Sequence, residues 1–100
     1  MAYQKVLAVL ADPTRRAVFE QLRAGPRSVR QLADVMPVSR PAVSQHLKAL
    51  KEADLVRDEP RGTARIYSIH TPGLADLRSW LDSFWGDALE SFKTYAEKSE

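Results

Sequence analysis

Apolar and polar residues alternate along this chain with a helical period for most of its length. In the first segment, AYQKVLAVL, Val6, Leu7, Val9 and Leu10 form the apolar side of a short helix. Asp12 then offers its carboxylate as an N-cap, and Pro13 follows at the first helical position, where a missing N–H costs nothing. A second helix, PTRRAVFEQLRA, stripes Ala17, Val18 and Leu22 on one side and stops at Gly25–Pro26. Ser28 and Gln31 have the spacing of a capping box for a third helix, which runs to about Met36 with Val29, Leu32 and Ala33 inward. Pro37–Val38 breaks it. Ser39 caps a fourth helix ending near Ala53, in which Pro41 is tolerated because it lies in the first turn.

The pattern then changes. LVRDE and ARIYSI are short segments of extended type around the turn PRGT, a predicted β-hairpin. Thr71–Pro72 opens a long last helix to about Lys98. The expected fold is mainly α with a small β-hairpin: a helix-turn-helix over about 28–53, a wing over about 55–69 and a terminal helix over about 73–98. With no linker, repeat or low-complexity stretch, residues 1–100 read as one winged-helix domain.

The fourth helix, RPAVSQHLKALKE, carries the candidate chemistry. Val43, Leu47 and Leu50 form its inner stripe. At about 100° per residue, Gln45 lies nearly opposite, Ser44 and Lys48 point to the same outer side, and Arg40 flanks it near the N-terminus. His46 falls at the border. A short, polar, hydrogen-bonding face near the N-terminal half of such a helix is what reaches base edges in helix-turn-helix proteins. Gln45 can pair with adenine, and Arg40 with guanine or a phosphate. Lys48 suits the phosphate backbone, while His46 reads as partly buried or as a phosphate contact. In the hairpin, Arg61 and Arg65 around Gly62 can reach the DNA backbone or minor groove. Lys51 and Arg57 read as solvated and dispensable.

Charge agrees with a polyanion at the middle of the chain. Residues 26–65 hold eight Lys/Arg against five Asp/Glu, whereas residues 74–100 hold three against six. The last helix has its own message. Leu74, Leu77, Leu81, Phe84, Ala88, Phe92 and Tyr95 follow helical spacing, and Trp80 and Trp85 widen the stripe beyond what so small a domain can cover. A second copy would cover it by twofold pairing of the first and last helices, through Val6, Leu7, Leu10, Leu77, Leu81, Phe84, Trp85, Ala88 and Phe92. The same aromatic cluster could instead line a pocket for an apolar small-molecule effector, and the sequence leaves both readings open.

Other classes find little to build on. The chain has no cysteine, two histidines and four scattered glycines, so a nucleophile–base pair, a thiolate metal site and a phosphate loop all lack their parts. His70 beside Asp76 is too weak a pair for a metal, and neither metal nor cofactor is expected. No segment has the length of a membrane span or a signal peptide's layout, and the cytoplasm is the expected default compartment. A winged helix used only for protein contact would be expected to expose large apolar groups on its fourth helix, and this one exposes polar groups. RNA binding would favour stacking aromatics, of which only Tyr67 in the hairpin is a candidate.

VSRPAVSQHLKALKEADLV followed by a wing and IYSI resembles the ArsR (arsenical-resistance-type) winged-helix repressors. LADPTRRAVFEQL is similar to that family's second helix, and SVRQLADVMPVSRPAVSQHLKAL to its helix-turn-helix. The resemblance covers roughly residues 4 to 95. It implies a homodimer, paired through first and last helices, that represses transcription from an operator. It also implies that the segment with Ser39, Arg40, Ser44, Gln45 and His46 reads double-stranded DNA. Two departures stand out. The third helix reads SVRQLADVM, without the cysteine motif of the metal sensors, and the last helix has no histidine. Asp54 stands where the family ends its recognition helix with glycine; Asp can adopt the left-handed conformation at some cost.

Overall fold

A computed structural model of the chain describes residues 2–98. Helix α1 (Ala2–Leu10) is followed by α2 (Pro13–Gln21), a single 3₁₀ turn (Leu22–Ala24), strand β1 (Arg27–Ser28) and α3 (Val29–Val35). Helix α4 (Arg40–Glu52), strands β2 (Val56–Arg61) and β3 (Ala64–Ile69), and α5 (Thr71–Lys98) complete it.

The local signals behave as their chemistry requires. Asp12 Oδ1 accepts from the Arg15 backbone N–H at 3.0 Å. Ser28 Oγ accepts from the Gln31 N–H, and Gln31 Oε1 accepts in return from the Ser28 N–H. Ser39 Oγ accepts from the Ala42 N–H. Two arginines of α2 satisfy the open carbonyls at the end of α1, Arg16 Nη1 donating to Leu10 O and Arg15 Nη1 to Val9 O.

The chain leaves α4 through a Schellman turn, with the Leu55 N–H on Leu50 O and the Asp54 N–H on Lys51 O, both 3.0 Å. Asp54 takes φ +64°, the only non-glycine residue with positive φ among those described. The left-handed cap therefore forms without glycine. Gly73, at the start of α5, lies so close to this turn that a Cβ there would stand 2.6 Å from Asp54 O. The terminal helix is thus seated directly on the end of α4.

Two features differ from the sequence expectation. The sheet has three antiparallel strands in the order β1-β3-β2, because Arg27 and Ser28 pair with Tyr67 and Ile66. The β2–β3 hairpin closes with Arg61 opposite Ala64, leaving a two-residue loop in which Gly62 has φ +63°. Pro60 sits within β2, permitted there because β2 is an edge strand.

The core gathers Val18, Leu22, Leu32, Val43, Leu47, Leu50, Leu55 and Val56 from α2, α3, α4 and the hairpin. Val6 joins it fully buried, which corrects its assignment to a dimer interface: a side chain with no surface in its own chain has none to offer a second copy. Leu10 and Leu77 pack half-buried against the same core. Leu7, Leu81, Phe84, Trp85, Ala88 and Phe92 are exposed, as are Leu89 and Tyr95. Tyr3 of α1 stacks on Trp80 at 5.1 Å, and Trp80 meets Phe84 edge-on.

Beyond that cluster α5 is exposed along its length, and the molecule measures 68 × 24 × 23 Å with a radius of gyration of 18.2 Å. A compact chain of this length would have about 13 Å. Among the described residues, no helix is long and apolar enough to cross a membrane.

Candidate nucleic-acid interface

Helix α4 is held by its inner face. Val43, Leu47 and Leu50 are fully buried, fixing the rotation of the helix about its axis. That rotation leaves Ser39, Arg40, Ser44, Gln45 and Lys48 exposed. Ser39 is already engaged as the N-cap, so its hydroxyl positions the first turn. His46 is half-buried, and its Nδ1 is covered with no hydrogen-bond partner. The Asp12 carboxyl that caps α2 is held below its ordinary value chiefly by the Arg15 backbone N–H, against the opposing effect of burial.

The wing stands beside this helix. Arg61 is largely exposed, 3.7 Å from Glu59. Arg65 Nη1 donates to Asp58 Oδ2 at 2.8 Å. Asp58 Oδ1 in turn takes Lys51 Nζ at 2.7 Å, while the Asp58 side chain itself is only 6% exposed. Lys51 is therefore an ion-pair partner, where its surface position suggested a solvated side chain. It ties the last turn of α4 to β2, and through Asp58 to the arginine of β3. The Lys51 hydrogen bond, followed by that of Arg65, holds the Asp58 carboxyl below its usual 3.8 against the opposing effect of burial. Arg57 is exposed.

Two residues passed over in the sequence belong to this surface. Asp58 sits in a charged run, RDEPR, and only the strand register reveals which of those charges turns inward. Arg30, in the first turn of α3, lines one cleft with Arg40 and Arg65. A single helix wheel could not have joined three elements.

His70 lies 3.8 Å from an Asp54 carboxylate oxygen, and its backbone N–H donates to Leu55 O. It closes the hairpin onto the end of α4. No cluster of three or more His, Asp or Glu able to hold a metal occurs among the described residues.

Comparison with known proteins agrees with this geometry. Residues 10–59 match the family model of a helix-turn-helix domain. Over 83 residues the chain is 58% identical to the HTH-type transcriptional regulator Rv2034 of Mycobacterium tuberculosis, spanning 83% of this chain and 78% of that protein. An ArsR-like transcriptional regulator from Rhodococcus sp. RHA1 has the same fold, with a TM-score of 0.78 at 30% identity, covering 95% of this chain and 92% of that one. The homodimeric winged helix-turn-helix DNA-binding domain Mb0332 from Mycobacterium bovis, a possible ArsR-family regulator, gives a TM-score of 0.69 at 27% identity, covering 90% and 83%. By its helix-turn-helix, its wing and its similarity along most of its length, the chain belongs to the ArsR family of winged helix-turn-helix transcriptional regulators, proteins that act by binding DNA and not by catalysis.

Proposed function

We propose that residues 1–100 work as one winged-helix unit in the cytoplasm, where two copies recognise an inverted-repeat operator and repress transcription from it. The observation that carries this reading is the division of α4: a fully buried inner stripe and an outer face of Arg40, Ser44, Gln45 and Lys48 open to solvent. None of the large exposed apolar side chains lies on that helix, which disfavours a purely protein-binding role.

In this reading Gln45, Ser44 and Arg40 contact base edges, and Ser39 and His46 support the first turns at the groove wall. Lys48, Arg61 and Arg65 hold phosphates and supply affinity that falls with salt. Dimerisation rests on the exposed apolar face of α5, with Leu7 and Leu10 of α1 beside Leu77, Leu81, Phe84, Trp85, Ala88 and Phe92. A twofold axis there would set two α4 helices into major grooves about 34 Å apart. An apolar groove along α5, lined by Pro72, Leu74, Leu77, Leu81 and Trp85, is where a small-molecule effector would act on that pairing.

The test is fluorescence anisotropy with a duplex obtained by selection from random DNA and a scrambled competitor, over a series of salt concentrations. A preference of a hundredfold or more, with affinity falling steeply in salt, is the expected result. Equal, weak binding to both duplexes would contradict the proposal.

A further inference from the structure

The cleft between α3, α4 and the wing carries more than the reading face requires. Arg30 from the first turn of α3, Arg40 from the first turn of α4 and Arg65 from β3 line it together, with Thr63 of the hairpin loop and Ser28. Three arginines lining one concavity make a local excess of like charge. Arg65 has Asp58, a carboxylate already shared with Lys51. Arg30 and Arg40 have no ion-pair partner among the described residues. The nearby Glu59 faces Arg61.

We propose that this cleft is a seat for one DNA backbone phosphate in each half-site, gripped by Arg30, Arg40 and Arg65, and that Arg30 is thereby a DNA-contacting residue. The proposal rests on the reading of α4 as the DNA-docking helix. Guanidinium groups present planar forks of N–H donors that match phosphate oxygens, and Arg65 commits only one of its five donors to Asp58. Ser28 contributes neither its N–H nor the acceptor role of its hydroxyl, since both are taken by the capping box with Gln31. The donors this seat relies on are the side chains of the three arginines.

The anion must also arrive in step with α4. The cleft lies at the N-terminal end of that helix, between it and the wing, where a strand bordering the entered groove would run. A free small anion would be held by the same groups; the placement favours a phosphate on a duplex. The Lys51–Asp58–Arg65 chain then acts as a positioning device, setting the Arg65 side of the seat relative to α4.

The test compares wild type, Arg30→Gln and Arg57→Gln on the selected duplex and on a scrambled one, across salt concentrations. It adds duplexes in which single phosphates are replaced by neutral methylphosphonates. Arg30 and Arg57 are both exposed, and circular-dichroism melts verify that the variants stay folded.

Arg30→Gln is expected to weaken binding to both duplexes by a similar factor. It should also flatten the dependence of log K on log salt by about one for each half-site. Arg57→Gln should leave that slope unchanged. At one position per half-site, the methylphosphonate should weaken wild type yet cost Arg30→Gln little more. If wild type discriminates between the duplexes while Arg30→Gln keeps wild-type affinity and slope, the seat is overturned and the α4 reading stands. A loss confined to the selected duplex, in place of a uniform loss on both, would make Arg30 a base reader and overturn the phosphate assignment. Failure of wild type itself to discriminate would remove the α4 reading and the seat with it.

Discussion

Replacing Asp58 by Asn keeps the shape of the side chain and removes its charge. In the folded protein that carboxylate is 6% exposed, with Lys51 Nζ 2.7 Å from one oxygen and Arg65 Nη1 2.8 Å from the other. Breaking a fully buried pair costs about 3–5 kcal/mol, and an exposed pair about 0–1 kcal/mol. Here the carboxylate is covered, but Lys51 and Arg65 remain 57% and 59% exposed, so water screens much of the attraction. The expected loss is about 1–2 kcal/mol, between those limits. It is read as a lower urea midpoint at pH 7 with an unchanged slope.

The pH dependence has a fixed sign. Lys51 first, then Arg65, holds the folded Asp58 pKa below the ordinary 3.8. The stabilisation is therefore complete above the unfolded carboxylate value, and it is lost as pH falls through the depressed folded one. The gap between wild type and Asp58→Asn should stay level from about pH 8 to about pH 5 and close below about pH 4. Equal midpoints at pH 7, or a gap that widens in acid, would refute the reasoning.

Gly73→Ala should cost about 1–3 kcal/mol in a thermal melt, because its Cβ would meet Asp54 O at 2.6 Å and Ala53 O at 2.8 Å, backbone atoms that cannot turn aside. Asp54→Gly should raise stability by up to about 1 kcal/mol by relieving the φ of +64°, offset by glycine's greater freedom when unfolded. A decrease would mean that the Asp54 contact with His70 at 3.8 Å outweighs the backbone strain. Trp85→Ala removes a side chain 64% exposed in the single chain. Sedimentation should show dimer dissociation strengthened about tenfold or more, equivalent to about 1.4 kcal/mol, with weaker DNA binding in consequence. An unchanged dimer at micromolar concentration would contradict the α5 interface.

The parts of the fold legible in the sequence are those set within one turn of chain. The caps at Asp12, Ser28 and Ser39 depend on a side chain and an amide three residues on, so spacing alone identifies them. The inner stripe of α4 follows from period, and so does the exposure of Gln45 opposite it. The left-handed Asp54 was legible as the residue standing where a glycine is usual.

What stayed hidden depends on partners distant in sequence. Strand β1 has two residues and exists only because β3 pairs with it. Val6 shares its helix with exposed Leu7, and packing alone decides which of the two is core. Lys51 looked like a solvated lysine because Asp58, seven residues on, reaches it only after the chain has reversed into β2. The cleft of Arg30, Arg40 and Arg65 assembles from three elements, beyond the reach of any single periodicity.

The most direct test of the account is the affinity of wild type and Gln45→Ala for every single-base variant of the selected duplex. Gln45 is exposed at the centre of the outer face of α4, so its loss should cost about 1–3 kcal/mol on the selected site. Discrimination should relax at one base pair in each half-site and persist at the others. A uniform loss on all duplexes, selected and scrambled alike, would contradict the claim that this face of α4 reads sequence.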